Sequence, residues 1–354
     1  MAFDPIARGL AARASRKSPP TLEDYRGAAG APEWLNRFAF RNAFLAGEKR
    51  LQLAGGDYAI NRVPTDDPVV SAVLSQQPNA ILPEGFRQLD GNGANLVFTA
   101  GRGIWAKPRW TWAYPGQIRS YLAANVAAGD TTLTLEAGQG VNWQADDEFL
   151  YQFGSLSYDA PETLYWGFAR VVSVAGDVVT LDRPLPEPFT LSSVSALPFT
   201  DIDGTANRFN KTIFKFPVIR DMVISDLNGT AGNSEAITEE FISVEGAQRV
   251  TIRNCGARKV AIGISLKYVE GATIDNCWAE DANFFKPAAG KGVSMVACRD
   301  VSIVNFRGKG IRRPIALEAG SAAQVWGCGS SVRTPSSLPR LRPRWAWNCA
   351  ARTR

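Results

Sequence analysis

Apolar and polar residues alternate over short stretches in the second half of the chain, and these stretches recur at set intervals. Each repeat carries two apolar anchors that lie ten residues apart. The first anchors are Ile242, Ile264, Val293 and Ile315, and the second anchors are Ile252, Ile274, Ile303 and Val325. Both series advance by 22, 29 and 22 residues. Repeats of this length cannot bury their apolar faces alone, so they predict a solenoid whose core forms when the repeats stack.

The residues within each repeat predict strands rather than helices. β-Branched residues dominate the alternating stretches, which favours short parallel strands. Asn254, Asn276 and Asn305 each lie two residues after a second anchor. A tight corner at that position favours a residue that tolerates the left-handed conformation and hydrogen-bonds along the stack. A weaker fifth copy begins at Phe214 and has its second anchor at Ile224.

These repeats resemble the right-handed parallel β-helix of the pectate lyase-like superfamily, which includes polysaccharide lyases, glycosidases and phage tailspikes. Earlier in the chain, "EKRLQLAGGDYAINRV" from Glu48 is similar to the first coil of that superfamily, and "LDGNGANLVFTAG" from Leu89 to the turn and strand that follow. The resemblance covers most of residues 48–330 and implies an all-β fold. It does not fix an activity, because this fold hosts many chemistries.

The segments outside the repeats predict further parts. Residues 31–47 predict an amphipathic helix that caps the open end of the solenoid, with an apolar side formed by Trp34, Leu35, Phe38 and Leu45. Strict alternation with Gly-Asp turns predicts inserted antiparallel hairpins. The predicted organisation is a helical segment and cap at 1–47, first β-helix coils at 48–117, a small β-barrel or sandwich at 118–200, main coils at 201–329 and a disordered basic tail at 330–354.

Charge and composition exclude several classes of function. The net charge is +5, but residues 330–354 hold six arginines and no acid, so the body is close to neutral and is not expected to bind nucleic acid. The chain contains no histidine, which excludes histidine-based catalytic triads and histidine metal sites. No cofactor or metal is therefore expected.

The cysteines and the apolar stretches narrow the setting further. Cys255, Cys277 and Cys328 occupy one position of successive repeats, which predicts a buried thiol ladder rather than disulfides. No apolar stretch is long enough to cross a membrane, and the first residues lack the apolar centre of a signal peptide. We therefore expect no membrane insertion, and a location in the virion or outside the cell after lysis.

Candidate catalytic residues lie on the corners between one coil and the next, two of which are longer than the others. Variable loops on a regular scaffold often carry function. The long corners contain Glu235, Glu239, Glu240, Glu280 and Asp281. An inverting glycosidase places two carboxyl groups about 6.5–9.5 Å apart, and Glu239 or Glu240 facing Glu280 or Asp281 would satisfy this. The alternative is a ladder of salt bridges with basic residues on the short corners.

A lyase would need a basic residue as its base and a cation to neutralise a uronate. Lys286, Arg312 and Arg313 are the candidates. The outward positions of the first strands are predicted to be Lys215, Ser243, Ser265, Ser294 and Ala316. Since these positions carry no carboxylate ladder, a calcium-dependent pectate lyase is not expected.

Aromatic and basic residues supply candidate sugar contacts, because the C–H faces of sugars pack on exposed rings. The predicted substrate-binding residues are Lys286, Arg312, Arg313, Arg258, Trp278, Phe285, Trp110 and Trp112. Trp110 and Trp112 alternate onto one face and fit a core or inter-domain seam equally well.

The leading hypothesis for function is a phage or prophage tailspike-like protein that binds a bacterial surface polysaccharide and, in one version, depolymerises it. Two alternatives stay open: a structural or adhesive β-helix without catalysis, and a polysaccharide lyase. Tailspike-type β-helices usually form trimers, so the resemblance implies a homotrimer.

Overall fold

The computed structural model describes residues 18–60, 80–82, 85–98, 102–106, 119–153, 165–186, 211–215, 217–231, 240–282, 289–318, 323–326 and 329–331. Its elements are predominantly strands, with helix α1 (Glu33–Leu45) and two short 3-10 helices (Leu22–Tyr25 and Gly140–Asn142). The first twelve strands are β1 (Arg50–Gln52), β2 (Asp57–Ile60), β3 (Ala80–Leu82), β4 (Gln88–Asp90), β5 (Asn95–Phe98), β6 (Arg102–Ala106), β7 (Arg119–Tyr121), β8 (Thr132–Thr134), β9 (Glu148–Phe153), β10 (Tyr165–Ala175), β11 (Val178–Leu181) and β12 (Lys211–Lys215). The remaining strands are β13 (Ile219–Arg220), β14 (Val223–Ser225), β15 (Asn228–Ala231), β16 (Glu240–Arg253), β17 (Gly256–Arg258), β18 (Ile262–Asp275), β19 (Trp278–Glu280), β20 (Lys291–Val304), β21 (Arg307–Lys309), β22 (Arg313–Glu318), β23 (Ala323–Trp326) and β24 (Gly329–Ser331).

Within the part of the chain that the structure describes, two parallel sheets form the predicted β-helix. Sheet A has eleven strands along the path β1-β4-β14-β16-β18-β20-β22, with β3, β6, β13 and β23 pairing beside it. Sheet B has seven strands in the order β2-β5-β15-β17-β19-β21-β24. Each long strand of sheet A is followed by a short strand of sheet B, so successive coils stack as the repeats predict.

Anchor residues of successive strands lie in vertical register in sheet A. Ile242 pairs with Ile264 and Ile264 with Val293, while Ile252, Ile274, Ile303 and Val325 form the second column. Ile242, Ile252, Ile274 and Ile303 are fully buried. Ile315 is partly buried and packs against the same core. The stacking predicted from the two anchor series is confirmed.

Each coil turns at residues with a left-handed backbone, and these recur at fixed repeat positions. One turn is formed by the predicted asparagines, with φ of 52° at Asn254, 50° at Asn276 and 55° at Asn305. The other turns fall at Gly246, Tyr268 and Ala297, at Arg249, Gly271 and Asp300, and at Lys259, Asp281 and Gly310. Only the asparagine corner was predicted from the sequence.

The helical segment packs where the β-helix begins. Helix α1 lies inside the predicted range, and its Ala39, Phe40 and Ala43 share a core cluster with Leu51 and Tyr58. The apolar side predicted from the sequence is partly wrong, because Leu45 is exposed. The buried face instead includes the polar residues Asn36 and Arg37. The Nδ2 of Asn36 donates to the carbonyl of Ala59 at 3.0 Å, which explains how an amide is accommodated there.

The antiparallel module is sheet C, in the order β7-β12-β9-β10-β11-β8. It belongs to a second compact unit, from Pro108 to Val218, with its own apolar core around Leu133, Phe149 and Val179. Strand β12 pairs antiparallel with β7 and β9, so the repeat copy predicted from Phe214 is wrong at its first anchor. Its second anchor, Ile224, does stack on Ile252 in sheet A.

The cysteines follow the ladder prediction where they are described. Cys255 and Cys277 are buried thiols, as is Cys298 on the first-strand side, and none of the three forms a disulfide bond. Burial raises the pKa of the Cys255 thiol well above its ordinary value. Cys328 lies outside the described residues.

Candidate functional site

Polar residues gather on the outer side of the strands that begin each coil. Core residues such as Ile242 and Val244 point inward, so Ser243 and Glu245, which alternate with them, point outward. Phe241 and Ile242 both lie in the core, so the alternation is interrupted there and Glu240 also points outward. Arg102 and Lys291 reach the same side, where they contact Ser243 and Ser294. We call this surface the first-strand face. Its members are Arg102 and Trp105 of β6, Glu240, Ser243 and Glu245 of β16, Ser265 and Lys267 of β18, and Lys291 and Ser294 of β20.

Arg102 joins three members of this face. Its Nε lies 2.7 Å from a carboxylate oxygen of Glu240 and donates to the hydroxyl of Ser243 at 3.1 Å. Its guanidinium carbon lies 4.2 Å from the centre of the Trp105 ring. Register explains this grouping, because Glu240 pairs directly with Arg102 and Ser243 with Trp105. An indole, a carboxylate and a hydroxyl are thus held around one cation.

Lys267 links the rest of the cluster. Its Nζ lies 3.9 Å from a carboxylate oxygen of Glu245, the residue directly opposite in the ladder. Burial lowers the pKa of Lys267, and the nearby charge of Arg102 lowers it further. The carboxylates of Glu245 and Glu240 oppose this lowering. One ammonium group therefore interacts with both carboxylates and with the guanidinium, so these groups form a single electrostatic cluster.

Several members of the first-strand face are buried despite their polarity. Ser243, Lys291 and Ser294 are 5%, 4% and 3% exposed. The ammonium group of Lys291 lies 3.4 Å from the hydroxyl of Ser294. Charges in such a setting interact more strongly than they would in water. The side chains of Arg102 and Lys267 are 33% and 32% exposed, so these cations are the members of the face that a polar ligand could reach.

The residues of this face were only partly predicted from the sequence. Ser243, Ser265 and Ser294 do align across three coils, as their register shows. The prediction that only Lys, Ser and Ala occupy the face is wrong, because Glu240 and Glu245 lie on it. Lys215 was also wrongly included, since it belongs to β12 and pairs with Asp147 at 2.6 Å. A usable signal existed: Glu245 and Lys267 each lie three residues after a first anchor.

Three of the predicted site residues lie on sheet B instead. Arg258, Trp278 and Glu280 belong to β17 and β19. The Nε of Arg258 lies 3.3 Å from a carboxylate oxygen of Glu280. This ion pair matches the salt-bridge ladder that the sequence left open as an alternative. Glu280 therefore lies on a different sheet from Glu240.

The remaining predicted residues are placed as follows. Asp281 directly follows β19, and its amide donates to the carbonyl of Lys309 at 2.9 Å. Arg312 and Arg313 are exposed, and their amides donate to the carbonyl of Gly290. Glu239, Lys286, Phe285, Trp110 and Trp112 lie outside the described residues.

Among the residues that the structure describes, no three acidic or cysteine side chains come together as a group that could hold a metal ion. No described helix is long and apolar enough to span a bilayer.

Comparison with solved structures finds the same architecture in phage tailspikes. The tailspike gp61 of Pseudomonas phage phi297 matches with a TM-score of 0.54 and 13% identity, over 91% of this chain and 54% of that chain. The tailspike gp49 of Pseudomonas phage LKA1 matches with a TM-score of 0.53 and 15% identity, over 87% of this chain and 51% of that chain. The chain has a tailspike-like right-handed parallel β-helix fold. The chain spans about half the length of those two tailspikes. No protein-family model and no curated protein sequence matches it.

Proposed function

We propose that this tailspike-like β-helix binds a bacterial surface polysaccharide along the first-strand face. The observation that carries the proposal is the cluster of Arg102, Trp105, Glu240 and Ser243 on one surface. Saccharide sites combine an aromatic surface for the C–H face of a sugar with a few fixed polar groups for its hydroxyls. This cluster supplies both.

The repetition of the face favours a polymer over a single sugar. Neighbouring strands lie about 4.8 Å apart, so equivalent outward positions recur at that spacing. Trp105, Ser243, Ser265 and Ser294 are aligned across four adjacent strands. A chain of sugars that crosses the strands would meet one member of this row in each coil.

Exchanging Arg102 for alanine tests the binding proposal. We expect the Arg102→Ala variant to bind its glycan about 10- to 100-fold more weakly, since a hydrogen bond to a charged group contributes about 1.5–3 kcal/mol. The matched control is Arg170→Ala, which removes an arginine from an ion pair of 3.0 Å on sheet C. Binding would be measured on an array of purified bacterial surface polysaccharides, with thermal unfolding to confirm that both variants fold.

Equal loss of binding in both variants, or no loss in either, would contradict the assignment of this face.

Cleavage of the bound polysaccharide is a second candidate function, favoured by the two carboxylates on this face. Glu240 and Glu245 lie on one strand, on either side of Ser243. Glycoside hydrolysis commonly uses a pair of carboxyl groups, one as acid and one as base or nucleophile. Glu240 was named from the sequence and lies on this face, and we propose Glu245 as its partner.

The amide variants Glu240→Gln and Glu245→Gln test cleavage separately from binding. We expect each to lower turnover by about 10²- to 10⁴-fold, the effect typical of removing an acid or base, while glycan binding persists. Released reducing ends would detect hydrolysis, and absorbance of unsaturated uronates would detect the lyase alternative. If the unmodified protein binds a glycan and leaves it intact, the adhesive alternative is correct.

A further inference from the structure

A second outward surface, on sheet B, combines an indole with several cations. We call it the third-strand face and define it by Arg258, Trp278, Glu280, Arg307 and Lys309, the outward residues of β17, β19 and β21. The alternating residues Ala257 and Ala279 belong to the core. Because β17, β19 and β21 belong to sheet B, this face lies on a different sheet from Arg102 and Glu240.

The indole of Trp278 lies against the backbone of the neighbouring strand. Trp278 is directly opposite Gly256 in the ladder. A Cβ added at Gly256 would lie 1.7 Å from Cε2 and 2.2 Å from Nε1 of the indole, so only glycine leaves room for the ring there. The guanidinium carbon of Arg258 lies 5.3 Å from the ring centre. The ring is fixed by the strand and is only partly buried.

The charges around this indole are unequal. Arg258 pairs with Glu280, while register places Arg307 beside Trp278 and Lys309 beside Glu280. Arg258, Arg307 and Lys309 are all exposed. The face therefore holds three cations and one carboxylate, which exceeds what a balanced salt-bridge ladder needs.

We infer that the third-strand face is a second saccharide-binding site, specific for acidic sugars, centred on Trp278. The fixed indole offers a platform for the C–H face of a sugar, and the flanking Arg307 and Lys309 are placed to meet its carboxylate, sulfate or phosphate groups. The inference rests on the proposed function in one respect, that the β-helix meets a surface polysaccharide. It adds a binding site outside the first-strand face, which would raise the avidity of the chain for a long polymer.

The geometry favours a sugar polymer over a nucleic acid. Nucleic-acid binding to single strands uses several aromatic platforms in a basic groove. Among the described residues of β17, β19 and β21, Trp278 is the one aromatic side chain. Earlier strands of sheet B carry Asp57, Asn95 and Thr230. The Nδ2 of Asn95 donates to Asp57 at 3.0 Å, and the hydroxyl of Thr230 donates to Asn95 at 3.1 Å. These amide, hydroxyl and carboxylate groups lie two to four strands before Trp278 on the same sheet, and such groups suit sugar hydroxyls.

Titration calorimetry with matched variants tests the inference. The probes are short oligosaccharides of alginate, polygalacturonate, hyaluronan and chondroitin sulfate, with a neutral dextran fragment for comparison. We expect two classes of binding site in the unmodified protein. Trp278→Ala should lose one of them. The Arg307→Gln/Lys309→Gln double variant keeps the indole, and its affinity at that site should fall about ten-fold. Binding at this site should also weaken with added salt, because its cations are exposed.

Trp105→Ala separates this inference from the proposed function. If Trp105→Ala removes one class of site and leaves the Trp278 site intact, both assignments hold. If Trp105→Ala has no effect while Trp278→Ala removes all binding, the proposed first-strand site fails and the third-strand site stands. If Trp105→Ala abolishes all binding, or the unmodified protein binds no acidic probe, the third-strand site is overturned.

Two further measurements distinguish loss of this site from unfolding and from dissociation of an oligomer. Thermal unfolding shows whether Trp278→Ala loses binding only because it unfolds. If the double variant is folded and binds as tightly as the unmodified protein, the inference is overturned. Sedimentation velocity shows whether Trp278→Ala dissociates an oligomer. Dissociation without any change in saccharide affinity means that the face joins copies of the chain, and this also overturns the inference.

Discussion

Asn254 and Asn276 show how single residues hold the coils together. The Nδ2 of Asn276 donates to Oδ1 of Asn254 at 2.8 Å, and the Nδ2 of Asn254 donates to Oδ1 of Asp226 at 2.9 Å. All three residues have positive φ, which most side chains disfavour. Each residue therefore meets two requirements at once, a left-handed backbone and a hydrogen bond to the next coil.

Substitutions at Asn254 separate these two requirements. Asn254→Ala loses both side-chain hydrogen bonds and keeps the backbone strain, so we expect its free energy of unfolding to fall by about 1–3 kcal/mol. Asn254→Gly loses the hydrogen bonds alone and should cost less. Urea unfolding of both variants measures the difference. Equal unfolding free energies for the two would show that the left-handed backbone adds no cost here.

Tyr58 is a buried group whose ionisation should couple to stability. Its hydroxyl donates to Glu23 at 2.5 Å and accepts from the amide of Ala54 at 3.0 Å. Burial, together with the hydrogen bond to Glu23, raises the pKa of Tyr58 to about 12. The unfolded chain has an ordinary tyrosine pKa near 10. Above that pH the unfolded state loses the proton first, so stability should fall as pH rises from about 10 to about 12.

The Tyr58→Phe variant should therefore lose less stability between pH 9 and pH 11 than the unmodified protein does. Urea unfolding at the two pH values gives this difference. Burial also raises the pKa of Tyr268, but that residue is present in both proteins and cancels in the comparison. The same pH dependence in both proteins would contradict the assignment to Tyr58.

At the scale of single residues, a backbone conformation can be predicted where the residue type alone favours it. Asparagine is typical of a left-handed corner, so Asn254 and Asn276 could be placed. Tyr268 and Ala297 have φ of 51° and 52°, and neither residue type signals such a turn. Their conformation is imposed by the stacked coils. Glu245 and Lys267 could also have been placed, because each lies three residues after a first anchor and the 22-residue step between the anchors brings them opposite each other.

At the scale of the elements, inward and outward residues alternate along each strand and have opposite roles. Ile274 is fully buried in the second anchor column, while its neighbour Thr273 is exposed. Strand β18, which contains both, pairs with β16 on one side and β20 on the other. A change at one of these residues therefore tests the core, and the same change at the other tests only the surface.

Ile274→Asp should unfold the surrounding coils, because an unpaired carboxylate in an apolar core costs several kcal/mol. Thr273→Asp introduces the same charge at the adjacent outward position and should change the free energy of unfolding by about 0.5 kcal/mol or less. Hydrogen exchange of peptides from β16, β18 and β20 would locate the effect. Normal protection of those strands in Ile274→Asp would contradict the stacked-core arrangement.

The sequence was a better guide to the type of each element than to its partners. The alternation in Lys211–Lys215 does form a strand, but that strand pairs with β9 in sheet C. Alternation shows that a segment has two faces; it does not show which sheet the segment joins. The parallel coils could be assigned because two anchor series repeat in step, and that information is absent from a single isolated strand.

At the scale of the whole chain, the candidate site residues lie on two different sheets, although the sequence analysis assigned them to one set of corners. Glu240 begins a strand of sheet A and Glu280 ends a strand of sheet B. The sequence grouped both on the corners between coils, since spacing alone does not show on which side of a corner a side chain lies. Two saccharide surfaces are therefore proposed where one groove was expected.

The chain also has two separate apolar cores, and we expect them to respond independently to mutation. Leu133 belongs to the core of sheet C and Ile252 to the core of the β-helix, and both are fully buried. Replacing either by alanine should cost about 2–5 kcal/mol, through lost burial and the cavity that remains.

Hydrogen exchange read peptide by peptide assigns the loss. Leu133→Ala should raise exchange in β8 to β11 and leave β16, β18 and β20 protected, and Ile252→Ala should do the reverse. Because the two residues belong to different core clusters, the two effects should add in the double variant. If either single variant raises exchange equally in both sets of strands, the two cores unfold as one cooperative unit, and the glycan-binding variants would then need stability controls on both units.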